Sequence, residues 1–245
     1  MSGHSHWAKI KRAKGANDAK RGKLWSKIAR KIIIAARAGG GDPGQNLTLR
    51  YTIEEARAAN MPRDTIEKAI AKGTGELGAS NFESMVYEGY GPGGVAFLVE
   101  ALTDNRSRTA PELRKVFESA GGRLATSGSV AFQFTKLGMI TVKSEGMAED
   151  ALLEKALEAG AEDVKNEGDV YEVFTAPTAL HKVRDALAAA KVPIEAAEVV
   201  NLPNSTVAVS EDTVPKVLRL LDALDDHEDV QNVSHNAELP ESATL

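Results

Sequence analysis

The sequence contains no cysteine, and this absence excludes several kinds of site at once. Without thiols the chain has no disulfide framework, no thiolate metal site and no cysteine nucleophile. A chain without disulfides suits a reducing compartment, and we expect this protein in the cytoplasm.

Long apolar runs are absent as well. The longest, such as Ile32 to Ala36, are far shorter than the roughly 20 residues that span a bilayer. The N-terminus has no apolar stretch before a cleavage site, so it does not resemble a secretory signal. It is basic and poor in acids, as mitochondrial presequences are, but it lacks their serine enrichment. We therefore expect no membrane association.

Acidic residues are almost missing from the first 37 positions, which hold eleven Lys and Arg and the single acid Asp18. This segment has a formal charge of +10 in a chain of net charge −5, so the remaining residues carry −15. A basic arm on an acidic chain predicts a polyanionic partner, because Lys and Arg release condensed counterions from phosphates. The candidate nucleic-acid-binding residues of this segment are Trp7, Lys9, Lys11, Arg12, Lys14, Lys20, Arg21, Lys23, Lys27, Arg30 and Lys31.

A helical pattern begins at Lys23. At about 100° per residue, Leu24, Ile28 and Ile32 fall on one side and the cations gather in the opposite arc. That basic face suits a polyanion, and it equally suits an ordinary solvated surface over an apolar core. If this basic segment packs against the chain's own carboxylates and leaves no positive surface exposed, the electrostatic case for a polyanion fails. Trp7 could stack on a base or fasten the arm to the helices.

The predicted fold class is α+β with three domains around a central cleft. Residues 1–77 form a basic arm and a three-helix bundle, whose second and third helices cover Gln45–Ala59 and Pro62–Gly73. Residues 136–204 follow a βαββαβ order, which is typical of a ferredoxin-like domain. Residues 78–135 and 205–245 form the middle domain, because the last β-α-β segment has too few strands to stand alone. We expect that segment to complete the sheet begun at Val86.

Within the middle domain, local signals place a strand, a helix and another strand. Val95 to Leu102 reads as a strand, and Thr109 with Glu112 reads as a capping box that opens a helix to about Ala120. Ser129–Phe134 is predicted as a further strand. Pro111, Pro177 and Pro215 each fall in the first turn of a predicted helix, a favoured position for proline.

Catalytic signals are weak. The glycines at 15 and 22 have the wrong spacing for a phosphate loop, and those between 89 and 94 precede a strand rather than a helix. His4 and His6 could share a metal ion, but two ligands make a weak site. Carboxylates are plentiful and are predicted to lie solvated along helix surfaces. We expect a protein that is not an enzyme and needs no cofactor, metal or small-molecule substrate.

Two arginines, Arg106 and Arg108, stand beside a predicted helix N-terminus, where free N–H groups favour anions. They are further candidates for contacts with a phosphate backbone. The same pattern fits a capped turn in which the arginines pair with Asp104 or Glu112. If the chain were an enzyme working in the cleft, Asp104, Arg106 and Arg108 would be the first residues to test.

Three stretches resemble the YebC family: GHSHWAKIKRAKGANDAKRGKLWSK, YEGYGPGGVAFLVEALTDNRSRT and GGRLATSGSVAFQF. The resemblance covers nearly the whole chain. Bacterial members are commonly assigned as probable transcriptional regulators, and a mitochondrial translational activator of cytochrome c oxidase is similar. The resemblance implies three domains around a cleft in a cytoplasmic bacterial protein, and it carries over no catalytic residues.

Two roles in gene expression remain open on this resemblance. One is DNA-binding control of transcription, and the other is ribosome-associated support of translation at proline-rich stretches, through ribosomal RNA. The sequence has no helix-turn-helix signature with base-reading side chains, no zinc finger and no paired RNA-stacking aromatics. The expected partner is therefore DNA or ribosomal RNA, with the transcription machinery or the ribosome around it. A protein-interaction scaffold, with the acidic part facing basic proteins, would supplement either role.

Overall fold

The computed structural model describes residues 18–78 and 81–240. This part of the chain is α+β and divides into two compact units. The larger unit is drawn from residues 18–130 and 209–233, and the smaller from residues 131–208 and 234–239. The three domains, their boundaries and the cleft between them stay predictions. Within the described residues, no helix is both long enough and apolar enough to cross a membrane.

The larger unit begins with three helices: α1 (Asp18–Gly39), α2 (Leu47–Ala58) and α3 (Arg63–Thr74). Apolar side chains at helical spacing form their shared core, so the three predicted helices are confirmed, although α1 begins at Asp18 and not at Lys23. Gly73 lets α3 approach α1 closely, since a Cβ there would lie 2.5 Å from the Ile33 carbonyl oxygen. The core of the three helices contains Ile28, Ile32, Ile33, Leu49, Ile53, Ile66 and Ala69.

Asn46 joins α1 to α2. Its side-chain oxygen caps α2 by accepting the Leu49 N–H at 3.0 Å, and its amide donates to the Ala35 and Gly40 carbonyls at 2.8 and 2.9 Å. Trp25 adds a second link, because its indole N–H donates to the Ala59 carbonyl at 2.9 Å. These bonds satisfy helix-end groups that would otherwise lack partners.

The sheet of the larger unit follows, with β1 (Glu83–Tyr90) antiparallel to β2 (Ala96–Thr103). Helix α4 (Arg106–Ser119) comes next and leads to the short strand β3 (Arg123–Leu124), which pairs with β1. Phe97 on β2 and Phe117 on α4 meet edge to face, with ring centroids 5.8 Å apart. This contact is part of the core between helix and sheet.

Helix α4 corrects two sequence predictions. It begins at Arg106 rather than Thr109, because the side chain of Asn105 accepts the Arg108 N–H at 3.1 Å and caps the helix there. The predicted capping box is therefore wrong, and Thr109 lies buried within the helix. Pro111 is inside the helix and not in its first turn.

The predicted strand at residues 129–134 is also mostly wrong. A turn and a 3₁₀ segment (Ala131–Gln133) occupy it, and strand β4 begins only at Phe134. The buried Glu88 carboxylate accepts the backbone N–H groups of Gly128 and Val130, each at 2.6 Å. Those donors are used in holding the loop, so they are not available to a strand ladder.

The smaller unit contains β4 (Phe134–Lys143), α5 (Glu149–Ala159), β5 (Asp163–Asn166), β6 (Val170–Thr175), α6 (Leu180–Ala189) and β7 (Ile194–Pro203). The predicted βαββαβ order is confirmed, and the antiparallel sheet has the order β5-β6-β4-β7. Its core lies between this sheet and the two helices and includes Ile140, Leu152, Val173, Val183 and Leu187. Pro177 precedes α6 rather than lying in its first turn.

The last segment returns to the first sheet in part. After β8 (Val207–Ala208) come α7 (Val214–Asp225), with Pro215 in its first turn as predicted, and β9 (Val230–His235). Strand β9 joins β2 in the sheet of order β3-β1-β2-β9, as predicted. Strand β8 does not join that sheet, because it pairs in parallel with β10 (Ala237–Glu238).

Candidate nucleic-acid interface

The candidate residues of the N-terminal segment fall into two groups. Trp7, Lys9, Lys11, Arg12 and Lys14 lie outside the described residues, as do His4 and His6. The others lie on α1, where Arg21 is exposed and has an interaction partner and Lys31 pairs with Glu55 at 2.9 Å. Lys20 belongs to the first turn of the same helix.

Three cations of α1 form one line, which we name the basic stripe: Lys23, Lys27 and Arg30. Their spacing of four and then three residues places them on one face of the helix, over about 10 Å at 1.5 Å per residue. This face meets a run of carboxylates that begins at the last residue of α7 and ends just before β9, which we name the acidic segment: Asp225, Asp226, Glu228 and Asp229.

Both lysines of the basic stripe pair with the end of α7. The Lys23 ammonium lies 3.3 Å from an Asp226 carboxylate oxygen, and both side chains are about half exposed, at 45% and 55%. The Lys27 ammonium donates to the Asp225 carbonyl at 2.6 Å and lies 3.7 Å from its carboxylate. The carbonyl groups at a helix C-terminus carry partial negative charge, so this end of α7 attracts cations through its backbone as well.

Arg30 meets the most buried carboxylate of the acidic segment, Asp229. Its guanidinium donates to the Glu228 carbonyl and lies 3.5 Å from carboxylate oxygens of both Glu228 and Asp229. The Arg30 side chain is 14% exposed and that of Asp229 only 1%. The guanidinium also lies over the Phe82 ring, 5.7 Å from its centroid. This end of the stripe is an ion pair largely removed from water.

Asp229 connects α1 to α4. Its second carboxylate oxygen accepts from Arg108 at 2.8 Å and from the Thr109 hydroxyl at 2.7 Å. Burial by itself would raise the pKa of Asp229, but the hydrogen bonds from Arg108 and Thr109 and the charges of Arg108 and Arg30 lower it below its ordinary value. The hydrogen bond to Asp229 likewise raises the pKa of Arg108. Asp229 is therefore ionised and is not the solvated carboxylate that the sequence predicts.

The two arginines near the start of α4 have carboxylate partners. Arg108 lies 3.2 Å from Asp104 and 3.8 Å from Glu112, in addition to Asp229. Arg106 is exposed and lies 3.6 Å from Glu83. The sequence left open that these arginines pair with Asp104 or Glu112 in a capped turn, and the structure shows this pairing for Arg108. Its partner Asp229, 121 residues away, was missed.

The acidic segment is the part of the site that sequence reasoning missed. Four of the five residues from 225 to 229 are acidic, directly after an amphipathic helix. A dense acidic run in a chain that also has a +10 segment indicates that the two segments attract each other. It does not say which cations the carboxylates meet, because that depends on the position of α7 and β9.

A groove of about 580 Å³ lies between α4 and residues 227–229. His227 lines it, with Nε2 3.2 Å from a Glu112 oxygen and Nδ1 accepting the Asp229 N–H. The Ser119 hydroxyl, also in the groove, donates to the Val116 carbonyl and not to His227. Within the described chain, no group of three or more His, Asp or Glu side chains is arranged to hold a metal ion.

Comparisons with known proteins cover almost the whole chain. Residues 5–76 match the family model described as the TACO1/YebC protein N-terminal domain, and residues 82–237 match the TACO1/YebC second and third domain. A crystal structure of a conserved hypothetical protein from Aquifex aeolicus is similar, with a TM-score of 0.83 and 49% identity over 91% of this chain and 92% of that chain.

Curated relatives of similar length carry a shared name. A probable transcriptional regulatory protein of Treponema denticola is 52% identical over 98% of both chains. One from Pelotomaculum thermopropionicum is also 52% identical, over 98% of this chain and 99% of its own. The chain matches both family models and these relatives along its length, and it therefore belongs to the TACO1/YebC family.

Proposed function

We propose that this chain is a DNA-binding regulator of transcription that acts without catalysing a reaction. The observation that carries the proposal is the +10 charge of residues 1–37 in a chain of net charge −5. So strong a segregation of charge favours a polyanion, and the phosphate backbone is the polyanion that a regulator of transcription meets.

The names of the relatives support the same role. Proteins with about half of their residues identical to this chain are named probable transcriptional regulatory proteins. The groove beside α4 adds little to the case for an enzyme, because its serine hydroxyl is bonded to a backbone carbonyl.

The proposed contacts are to phosphates more than to bases. Lys and Arg that pair with phosphates position a protein on a duplex without reading its sequence. The proposed contact residues are the cations of the first 31 residues, together with Trp7, Arg106 and Arg108. Lys23 and Lys27 of the basic stripe belong to this set although both also pair with the acidic segment, whereas Arg30 is held on the buried Asp229.

Deletion of residues 1–17 tests the proposal and leaves α1 intact from its first residue, Asp18. We expect affinity for duplex DNA to fall by at least tenfold at moderate salt. The slope of log affinity against log salt should decrease in magnitude by about 0.9 for each phosphate that the shortened protein no longer neutralises. A full-length Lys155→Gln/Lys182→Gln variant of the smaller unit serves as the control. Affinity retained within a few-fold after the deletion would contradict the proposal.

Crosslinking in intact cells identifies the nucleic acid. Recovery of promoter DNA with the protein supports control of transcription. Recovery of ribosomal RNA in place of DNA would instead support the translation role on ribosomes that the resemblance leaves open.

A further inference from the structure

The acidic segment occupies the same cations that the proposed function assigns to nucleic acid. Its carboxylates lie 3.3 to 3.7 Å from the basic stripe, and backbone carbonyls of Asp225 and Glu228 accept from Lys27 and Arg30. The lysines and Arg30 thus meet a surface of closely spaced anionic oxygens, which is the chemistry that a phosphate backbone also presents.

The acidic segment binds the Lys23 end of the basic stripe less tightly than the Arg30 end. At the Lys23 end both partners are about half exposed, so water and salt screen the attraction. At the Arg30 end Asp229 is 1% exposed and is fixed by Arg108, Thr109 and Arg30 together. The backbone there is fixed too, because the Asp229 carbonyl accepts the Leu102 N–H at 2.8 Å. The outer end can exchange partners while the inner end stays in place.

We propose that the acidic segment is an internal competitor that occupies the outer part of the basic stripe until nucleic acid displaces it. The inference rests on the proposed function, because it concerns the same cations. Lys23 exchanges Asp226 for phosphate oxygens when nucleic acid binds. Lys27, whose side chain is 13% exposed, exchanges the Asp225 carboxylate and keeps the Asp225 carbonyl, and Arg30 remains on Asp229. The acidic segment therefore lowers the affinity of the free protein for polyanions, and weak, non-specific ones are excluded first.

An ordinary structural clamp is the competing explanation. Under it, Lys23 and Lys27 only fasten α1 to α7, and nucleic acid never meets them. The two explanations differ in what removal of the carboxylates does. A competitor leaves behind lysines released from these two carboxylates, which bind phosphate better, whereas a clamp leaves behind a looser protein and the same binding surface.

An Asp225→Asn/Asp226→Asn variant separates them, measured with labelled duplex DNA and a matched duplex RNA. We expect about fivefold tighter binding, which corresponds to one exposed ion pair, Lys23–Asp226, and one partly buried pair, Lys27–Asp225, that no longer compete. The melting temperature should stay equal or fall slightly, so affinity and stability change in opposite directions. A control variant, Glu154→Gln/Glu158→Gln on α5, removes two exposed carboxylates from the smaller unit and should change affinity less than twofold.

A variant that combines Asp225→Asn/Asp226→Asn with Lys23→Gln/Lys27→Gln completes a double-mutant cycle. With the lysines gone, removal of the carboxylates should no longer increase affinity, because the freed cations are the reason for the gain. A gain that persists without the lysines would reflect the general charge of the protein and would overturn the proposal. So would an amide variant that binds no better than the α5 control.

The outcome also separates this inference from the proposed function. If the wild-type protein binds duplex DNA and the amide variant binds equally well, only the competitor is refuted. If neither binds DNA or RNA, both the competitor and the DNA-binding function are refuted. Circular dichroism of each variant confirms that a loss of binding is not a loss of folding.

Discussion

The two ends of the basic stripe use the same chemistry at different depths. Lys23 and Asp226 lie half in water, whereas Arg30 reaches Asp229, whose side chain is 1% exposed and is shared with Arg108. An exposed pair gains little, because water and salt screen it. Removal of the charge from a buried carboxylate is costly, because the cations that it binds are left without a compensating charge away from water. Burial, more than residue type, therefore decides which end of the stripe stabilises the fold.

The largest expected effect is at the buried end. An Asp229→Asn change should lower the free energy of unfolding by about 3 kcal/mol, because it leaves two arginines facing a neutral amide. Arg30 keeps Glu228, and Arg108 keeps Asp104 and Glu112, which limits the loss. Denaturant titration measures the effect, with Asp226→Asn as the control. Equal losses for the two variants would contradict the distinction between the two ends.

The pH dependence of that loss sharpens the comparison. The pKa of Asp229 is lower in the folded protein than its ordinary value of 3.8, so the folded state binds fewer protons at this site than the unfolded state. The stabilisation is complete above pH 3.8 and disappears as pH falls through the lower folded pKa. The difference in stability between wild type and Asp229→Asn should therefore shrink below that pH. A difference that stays constant down to acid unfolding would refute the role of the charge.

Glu88 is a buried carboxylate that accepts hydrogen bonds from the backbone of its loop. Its two oxygens accept the Gly128 and Val130 N–H groups, each at 2.6 Å. Glu88→Gln should cost about 2 kcal/mol, because the amide places a donor against a backbone donor. Faster hydrogen exchange at residues 125–130 should accompany the loss, with the smaller unit unchanged as the internal control. Unchanged exchange in the loop would show that other contacts hold it.

The smallest effect belongs to the exposed end. A double-mutant cycle of Lys23→Gln and Asp226→Asn should give a coupling energy of about 0.5 kcal/mol or less. Salt should abolish it, because both groups lie in water. A corresponding cycle of Arg30→Gln and Asp229→Asn should give a larger coupling that survives in salt. Equal coupling energies in the two cycles would contradict the weaker binding at the Lys23 end on which the competitor proposal depends.

Much of the helical part is predictable because it is local. The periodicity of Ile28 and Ile32 identifies the buried face of α1, and α2 and α3 lie where the pattern places them. The βαββαβ order follows from alternating local signals in the same way. The capping error is local, because Asn105 caps α4 four residues before Thr109, whereas the error at residues 129–134 arises from the distant Glu88. Thr109 resembles a helix cap but instead donates to Asp229, 120 residues further along the chain.

The same distinction between local and distant signals applies to the candidate site and to the loop at residues 125–130. The cations of α1 and their common face are evident from the sequence, and so is the presence of a glycine at position 128. That Glu88 accepts the N–H of this glycine, from 40 residues away, is not evident. No pattern within either segment reports this bond, since it forms only when β1 and the loop are brought together.

The amino-acid sequence by itself determined the separation of charge and the spacing that aligns Lys23, Lys27 and Arg30, because both depend only on composition and helical period. The tertiary structure alone decided which anions these cations meet. Lys27 and Asp225 are 198 residues apart, and they come together because β9 pairs with β2 and brings the end of α7 to α1. Attraction between charges acts through space, so only the folded chain selects the partner.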